Sequence, residues 1–154
     1  MIKYKKIPST EYKKILDNMP IACVDLLIYD GNKSNAKFLL VLRKDEPAKN
    51  EWFVPGGRIF KNEKIEDAAK RKAFEELGIK IKLEKQIGCY DLFFEKGIFP
   101  DIKDGTHTIS VVYLATLEKN QKIKLDKTSL DYKWFSKNDK LHPYVRKLIE
   151  TAGI

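Results

Sequence analysis

The sequence has few cysteines and no long apolar segment. Its two cysteines, Cys23 and Cys89, stand in apolar segments without the spacing of metal ligands. We expect both to be buried as small hydrophobic side chains rather than joined in a disulfide. No apolar run reaches the roughly 18 residues that cross a membrane, and none follows the basic N-terminus. We therefore expect a protein of the reducing cytoplasm that is neither secreted nor inserted in a membrane.

Arginine is also scarce. Only four of the 30 basic residues are arginine, and the lysines are scattered along the chain. A net charge of +8 suits nucleic acid, a membrane surface or a small polyanion. The lysines neither cluster on one helix nor alternate with aromatic residues, as a nucleic-acid groove would require. Nucleic acid and a membrane surface are therefore disfavoured as partners, and most of the charge is expected to form a solvated surface of lysine and glutamate.

The length and composition predict one folded domain over residues 1–154. With 43% hydrophobic and 34% charged residues, the chain can bury an ordinary core, and no linker divides it. Strand-like and helical patterns alternate, which predicts an α/β (α+β) protein with a mixed sheet and helices on its faces. Helices are expected over Glu11–Asp17, from Asn62 to Gly78 and over His142–Ala152. The first, within residues 1–18, is expected to be peripheral.

Eight short segments are β-rich or strand-like. They are Ile21–Tyr29, Lys37–Arg43, Trp52–Pro55, Ile79–Leu83, Gln86–Glu95, His107–Leu117, Lys122–Leu125 and Asp131–Phe135. The first two are expected to pair as a hairpin.

The longest uninterrupted helical pattern lies in the middle of the chain. Asn62 is expected to cap this helix and Gly78 to end it. Rotation by about 100° per residue places four charged residues on one side. They are Arg71, Lys72, Glu75 and Glu76. A solvated face is one interpretation, with ion pairs at i and i+4 worth about 0.2–0.5 kcal/mol each.

A metal site is the second interpretation of this face. The Gly56–Gly57 turn brings a backbone carbonyl next to the helix, Glu63 follows six positions after Gly57, and Glu75 and Glu76 add carboxylates near the end of the helix. Hard oxygen ligands of this kind suit Mg²⁺ or Mn²⁺. With Arg43 and Arg58 beside it, such a site would hold a pyrophosphate.

Residues 57–79 resemble the Nudix box, G-x5-E-x7-R-E-U-x-E-E-x-G-U, in which U is aliphatic. The matching residues are Gly57, Glu63, Arg71, Ala73, Glu75, Glu76, Gly78 and Ile79. Lys72 stands where the pattern has a glutamate. The resemblance implies the Nudix fold, a mixed sheet sandwiched between helices, with the box as a loop, a helix and a loop.

A wider resemblance, over about residues 19–135, is to one branch, the GDP-mannose mannosyl hydrolases. It depends on five stretches, which are Met19–Asp25, Arg43–Ala48, Trp52–Arg58, Gly105–His107 and Asp131–Trp134. This branch also departs from the standard box at the position of Lys72. The resemblance implies a nucleotide-sugar substrate, Mg²⁺ or else Mn²⁺ as cofactor, and a homodimer.

The resemblance also implies roles for the box residues. The carbonyl of Gly57 and the carboxylate of Glu76 would bind the metal ion, with Glu75 as an additional ligand. Glu63 and Arg71 would be structural and hold the box loop to the helix.

Further residues would contact the substrate. Arg43 and Arg58 would bind the phosphates, because a planar guanidinium suits them better than an ammonium. Asp25 either reaches the sugar or bonds to backbone within its strand. His107 either contacts the substrate or makes a structural hydrogen bond. The catalytic candidates are Glu75, Glu76 and Arg58.

The sequence departs from the branch in the loop before Asp131. Thr128 and Ser129 stand where the branch has a glutamine metal ligand and a histidine general base. A hydroxyl must itself be deprotonated before it can act as a base. The replacement candidates are Glu75, Asp126, Asp104 and His107. Lys72 would weaken metal binding, point outward or neutralise a substrate phosphate.

Three functional hypotheses follow. The first is a Mg²⁺-dependent hydrolase of a nucleoside diphosphate sugar, such as GDP-mannose, in which water attacks the sugar carbon and releases the nucleoside diphosphate. The second is a Nudix pyrophosphohydrolase that yields a nucleoside monophosphate and a sugar phosphate. The third is a nucleotide-binding Nudix module without turnover.

Overall fold

The computed structural model describes residues 4–154 of the chain. Within this range the chain forms three helices and seven strands, in the order α1 (Ser9–Asn18), β1 (Ile21–Tyr29), β2 (Lys37–Arg43), β3 (Trp52–Phe53), β4 (Gly56–Arg58), α2 (Ile65–Leu77), β5 (Ile81–Phe94), β6 (Thr106–Leu117), β7 (Ser129–Ser136) and α3 (Pro143–Ala152). In the part described, no helix is both long enough and apolar enough to cross a membrane.

The strands join one mixed sheet. β3, β2, β1, β6 and β5 lie side by side in that order, and β7 pairs with β2. β1 and β6 run parallel, whereas β1 pairs with β2 and with β4 in the antiparallel sense. The β4 pairing sets Gly56 opposite Asp25 and Arg58 opposite Cys23, which brings the box loop to the central strand. The mixed sheet expected from the sequence is confirmed.

The helices cover both faces of this sheet. Neighbouring residues of a strand point to opposite faces, so Leu26 of β1 packs with α2 whereas Leu27 packs with α3. α2 contributes small buried side chains that allow a close approach to the sheet, namely Ala68, Ala69 and Ala73. The sandwich of helix, sheet and helix is therefore confirmed.

The structure corrects the start of the central helix. Asn62 lies outside it in a left-handed conformation, with φ at 68°, and α2 begins at Ile65. The delay follows from Glu63, whose carboxylate accepts a hydrogen bond from the Phe60 N–H at 2.9 Å and closes a turn first. The expected end at Gly78 is confirmed, because this residue caps the helix with φ at 65°.

Residues 122–125 do not form the expected strand. The backbone here bonds to the end of α2 instead. The Lys124 N–H donates to the Leu77 carbonyl at 2.8 Å, and the Asp126 N–H donates to the Glu76 carbonyl at 3.1 Å. The last carbonyls of a helix have no partner within it, so this segment satisfies two of them.

β5 combines two segments that the sequence pattern separates, Ile79–Leu83 and Gln86–Glu95. Its register against β6 shifts twice along its length. β5 is an edge strand, and its Cys89 is exposed, which corrects the expectation that both cysteines are buried. Cys23 is buried as expected, and both thiols are free.

Candidate functional site

A pocket of about 150 Å³ lies between α1, the loop after β2 and one face of the sheet. It brings together three predicted substrate residues from three strands, Asp25, Arg43 and Arg58. Gly57 also lines it, next to Arg58. α1 supplies Tyr12 to the wall.

Arg43 and Arg58 line this pocket with guanidinium groups that no carboxylate of residues 4–154 neutralises in an ion pair. Among residues 4–154, neither guanidinium forms an ion pair, and the Arg43 Nε is buried without a hydrogen-bond acceptor. The Arg58 Cζ lies 4.6 Å from the centre of the Tyr12 ring and 5.0 Å from that of Phe60. Cation–π contacts orient a guanidinium without using its N–H donors. Both side chains are therefore available to an anionic ligand such as a phosphate.

Asp25 is a buried carboxylate in the same pocket, with 7% of the residue exposed. The Tyr144 hydroxyl donates a hydrogen bond to its Oδ2 at 2.8 Å. Burial raises the pKa of Asp25 to about 6, although the Tyr144 bond acts in the opposite direction. Gly56 makes room for this carboxylate, because a Cβ at position 56 would collide with the Asp25 Oδ1.

The burial of Asp25 predicts a pH-dependent stability. The folded state keeps the proton up to about pH 6, whereas an ordinary aspartate releases it near 3.8. The native state then binds more protons than the unfolded state in this window, so stability falls as pH rises through it. As the pH rises through this window, the free energy of unfolding of the wild type is expected to fall by about 3 kcal/mol relative to that of Asp25→Asn. Urea denaturation of both proteins below and above this window measures the loss. A difference between them that is independent of pH would contradict the prediction.

Arg71 connects the box loop to α2. Its Nε bonds to Glu63 Oε1 at 2.6 Å, and its Nη2 bonds to Glu63 Oε2 and to the Arg58 carbonyl, each at 2.9 Å. Its Nη1 donates to Glu75 Oε2 at 2.9 Å. Burial raises the pKa of Glu63, but the bonds from Arg71 and the Phe60 N–H outweigh it and lower that pKa overall. The loop that carries Arg58 is therefore bonded to the helix.

Lys72 lies among the three predicted metal ligands. Its Nζ is 2.9 Å from Glu76 Oε1 and 3.5 Å from Glu75 Oε2. Its side chain also passes against Gly57, where a Cβ would stand 2.8 Å from the Lys72 Cε. Of the two carboxylates, Glu76 is buried at 2% exposure, whereas the Glu75 side chain is 45% exposed. The structure thus brings Gly57, Glu75 and Glu76 together around an ammonium.

The donor chemistry of this cluster fits a divalent cation in part. Glu76 Oε2 is buried without a hydrogen-bond partner, and a carboxylate oxygen of this kind is a suitable ligand for Mg²⁺ or Mn²⁺. Within residues 4–154, however, no three side chains of His, Cys, Asp or Glu are grouped as a metal site. A divalent ion would share Glu75 and Glu76 with the Lys72 ammonium.

The remaining candidates lie elsewhere or are engaged. His107 does not line the pocket, since its neighbours Thr106 and Thr108 do and side chains alternate along β6. Its Nε2 pairs with Asp91 Oδ1 at 3.0 Å. Thr128 Oγ1 donates to Asp126 Oδ1 at 2.6 Å, so this carboxylate oxygen is engaged within the loop.

Two aromatic residues of the site are not predicted from the sequence. Tyr12 belongs to the first helix, and Tyr144 to the last. No spacing along the chain connects either of them to Asp25 or Arg58, because the contacts span the whole fold. The Pro143 start of α3 predicts the helix but not the direction of the Tyr144 hydroxyl.

Fold and site together define an α/β/α protein with an arginine-lined pocket beside a helix that bears carboxylates. The family model of the NUDIX domain matches residues 19–150, which is most of the chain. The chain belongs to the Nudix hydrolase family.

Two curated relatives are similar in sequence. The low-salt glycan biosynthesis protein Agl8 of Haloferax volcanii is 35% identical over 146 residues, which are 94% of this chain and 90% of that protein. The ADP-ribose pyrophosphatase of Methanocaldococcus jannaschii is 33% identical over 95 residues, which are 62% of this chain and 50% of that protein.

Solved structures support the fold. A MutT NUDIX hydrolase from Burkholderia pseudomallei superposes with a TM-score of 0.68 at 26% identity, over 87% of this chain and 98% of that one. The NUDIX domain of Shewanella oneidensis NrtR, complexed with ADP ribose, superposes with a TM-score of 0.66 at 22% identity, over 96% and 97% of the two chains.

Proposed function

We propose that the protein hydrolyses a nucleoside diphosphate sugar of the GDP-mannose type, giving the nucleoside diphosphate and free sugar. The observation that carries this proposal is the pair of uncommitted guanidiniums, Arg43 and Arg58, in one pocket with the buried Asp25. Two guanidiniums suit a pyrophosphate, and a carboxylate suits the hydroxyls of a sugar. Similarity over 94% of the chain to a glycan biosynthesis protein supports a ligand that contains a sugar.

The chain's own residues then bind and orient the substrate. Arg43 and Arg58 donate to the phosphate oxygens and stabilise the charge that develops on the leaving nucleoside diphosphate. Asp25, held by the Tyr144 hydroxyl, accepts a hydrogen bond from the sugar. Mg²⁺ or Mn²⁺, held by Glu75, Glu76 and the Gly57 carbonyl, would neutralise phosphate charge when bound. A homodimer is a further proposal from the family resemblance, and a cytoplasmic location is one from the cysteine usage.

A pyrophosphohydrolase is the second candidate. The match to an ADP-ribose pyrophosphatase favours it, as does the presence of both Glu75 and Glu76. In that reaction water attacks phosphorus and a sugar phosphate is released.

Hydrolysis of GDP-mannose in ¹⁸O-labelled water with Mg²⁺ separates these reactions. We expect GDP and mannose as products, with the label in mannose, because attack at the sugar carbon leaves the pyrophosphate intact. Chromatography and mass spectrometry identify the products and locate the label. GMP and mannose 1-phosphate as products, with the label in one of them, would establish the pyrophosphohydrolase instead, and tight binding without cleavage across a panel of nucleotide sugars would establish a binding module.

A further inference from the structure

We propose that the Lys72 ammonium is a built-in cation of the box and that it weakens the binding of a divalent ion to Glu76 in the protein without substrate. This inference deepens the proposed function at its cation site. The quantity that it predicts is the affinity for a metal ion, which is measured without turnover. Its failure can therefore be told apart from a failure of the proposed reaction.

The burial of this ion pair supports the proposal. The side chain of Lys72 is 16% exposed and that of Glu76 is 3% exposed. Pairs at i and i+4 on a helix surface are held loosely and contribute little. Burial of a carboxylate, in contrast, removes its charge from water at a cost that a cation in direct contact offsets. Lys72 Nζ, 2.9 Å from Glu76 Oε1, is the cation in direct contact with this carboxylate.

The surroundings of the ammonium are those of a cation site. Glu75 Oε2 approaches Lys72 Nζ to 3.5 Å from a second side. Gly57 has no side chain, and a Cβ there would stand 3.2 Å from the Nζ, so the backbone can lie close to the charge. The groups that converge on Nζ are therefore two carboxylates and a bare stretch of backbone.

One oxygen of the site is left over. Glu76 Oε2 is buried and has no hydrogen-bond partner, because Lys72 reaches only Oε1. A single ammonium has a smaller charge than a divalent ion and leaves this oxygen unsatisfied. The carboxylates would therefore accept a divalent ion if the positive charge of Lys72 were removed. With Lys72 in place, the two cations repel each other across a few ångströms.

Titration with Mn²⁺ tests the inference by a readout that needs no turnover. Binding to wild type, Lys72→Met and Lys72→Gln is followed by calorimetry and by the Mn²⁺ electron paramagnetic resonance signal. We expect both variants to bind Mn²⁺ at least about tenfold more tightly than wild type. Lys72→Gln retains an N–H donor for Glu76 without the charge, which keeps the test valid if Lys72→Met folds poorly.

Two controls locate the effect. Lys70→Met removes the same charge from an exposed position of α2 and is expected to leave Mn²⁺ affinity unchanged. Glu76→Gln, added to Lys72→Gln, is expected to abolish the gain. Equal Mn²⁺ affinity of wild type and both folded Lys72 variants would overturn the inference, as would an equal gain in Lys70→Met.

Discussion

Arg43→Met is expected to lower kcat/KM for the nucleotide sugar by about 10²- to 10³-fold. Removal of one preorganised donor from developing charge has an effect of this size in other enzymes. The Arg43 Nε is buried and has no acceptor within residues 4–154, so the ligand is its expected partner. Steady-state kinetics measure the loss of kcat/KM. Calorimetry of GDP binding measures how much of this loss comes from weaker binding of the nucleotide in the ground state.

Two further variants test whether the loss comes from the charge and donor geometry of Arg43 or from the removal of any arginine. Arg43→Lys keeps the charge but lacks the planar pair of donors, so we expect an intermediate loss. Arg146→Met is the matched control, because the Arg146 guanidinium donates to the Lys137 and Asp139 carbonyls and does not line the pocket. Unchanged kinetics and GDP binding in folded Arg43→Met would refute the assignment of Arg43 to the phosphates.

Arg71→Met is expected to reduce the free energy of unfolding by about 4 kcal/mol. The Glu63 side chain is fully covered, and Arg71 supplies its two ionic bonds, so the variant leaves a covered carboxylate without its cation. The bond from Arg71 to the Arg58 carbonyl is lost as well. Urea denaturation at neutral pH measures the change, from the midpoint and slope of the transition.

Two further variants test whether the loss of stability in Arg71→Met comes from Glu63. Adding Glu63→Gln to Arg71→Met removes the unpaired charge and is expected to recover part of the loss. Glu75→Gln breaks the other ion pair of Arg71, but the Glu75 side chain is 45% exposed, so we expect a change of at most about 1 kcal/mol. Equal losses in Arg71→Met and Glu75→Gln would show that Glu63 does not need its partner.

Local patterns were sufficient to predict most elements of the fold. The apolar run of β1 and the glycine after α2 act over a few residues, and the structure has both where the sequence indicates them. The start of α2 was predicted wrongly at Asn62, because the Glu63 carboxylate accepts from the Phe60 N–H and is held by Arg71 eight positions away. Residues 122–125 were predicted wrongly as a strand, because their backbone bonds to the end of α2. In both cases a tertiary partner outweighs local propensity.

The sequence by itself determined the family and the residue types of the box, since these depend on spacing along one helix and two glycines. It also determined the sandwich of helices and sheet, through the order of its strand and helix patterns. Only the tertiary structure decided which candidates meet. It sets Asp25 against Tyr144 of the last helix and turns His107 away from the pocket. It also places the ammonium of Lys72 among Gly57, Glu75 and Glu76. Burial and the direction of a side chain depend on strands and helices that are distant in sequence, so no local pattern encodes them.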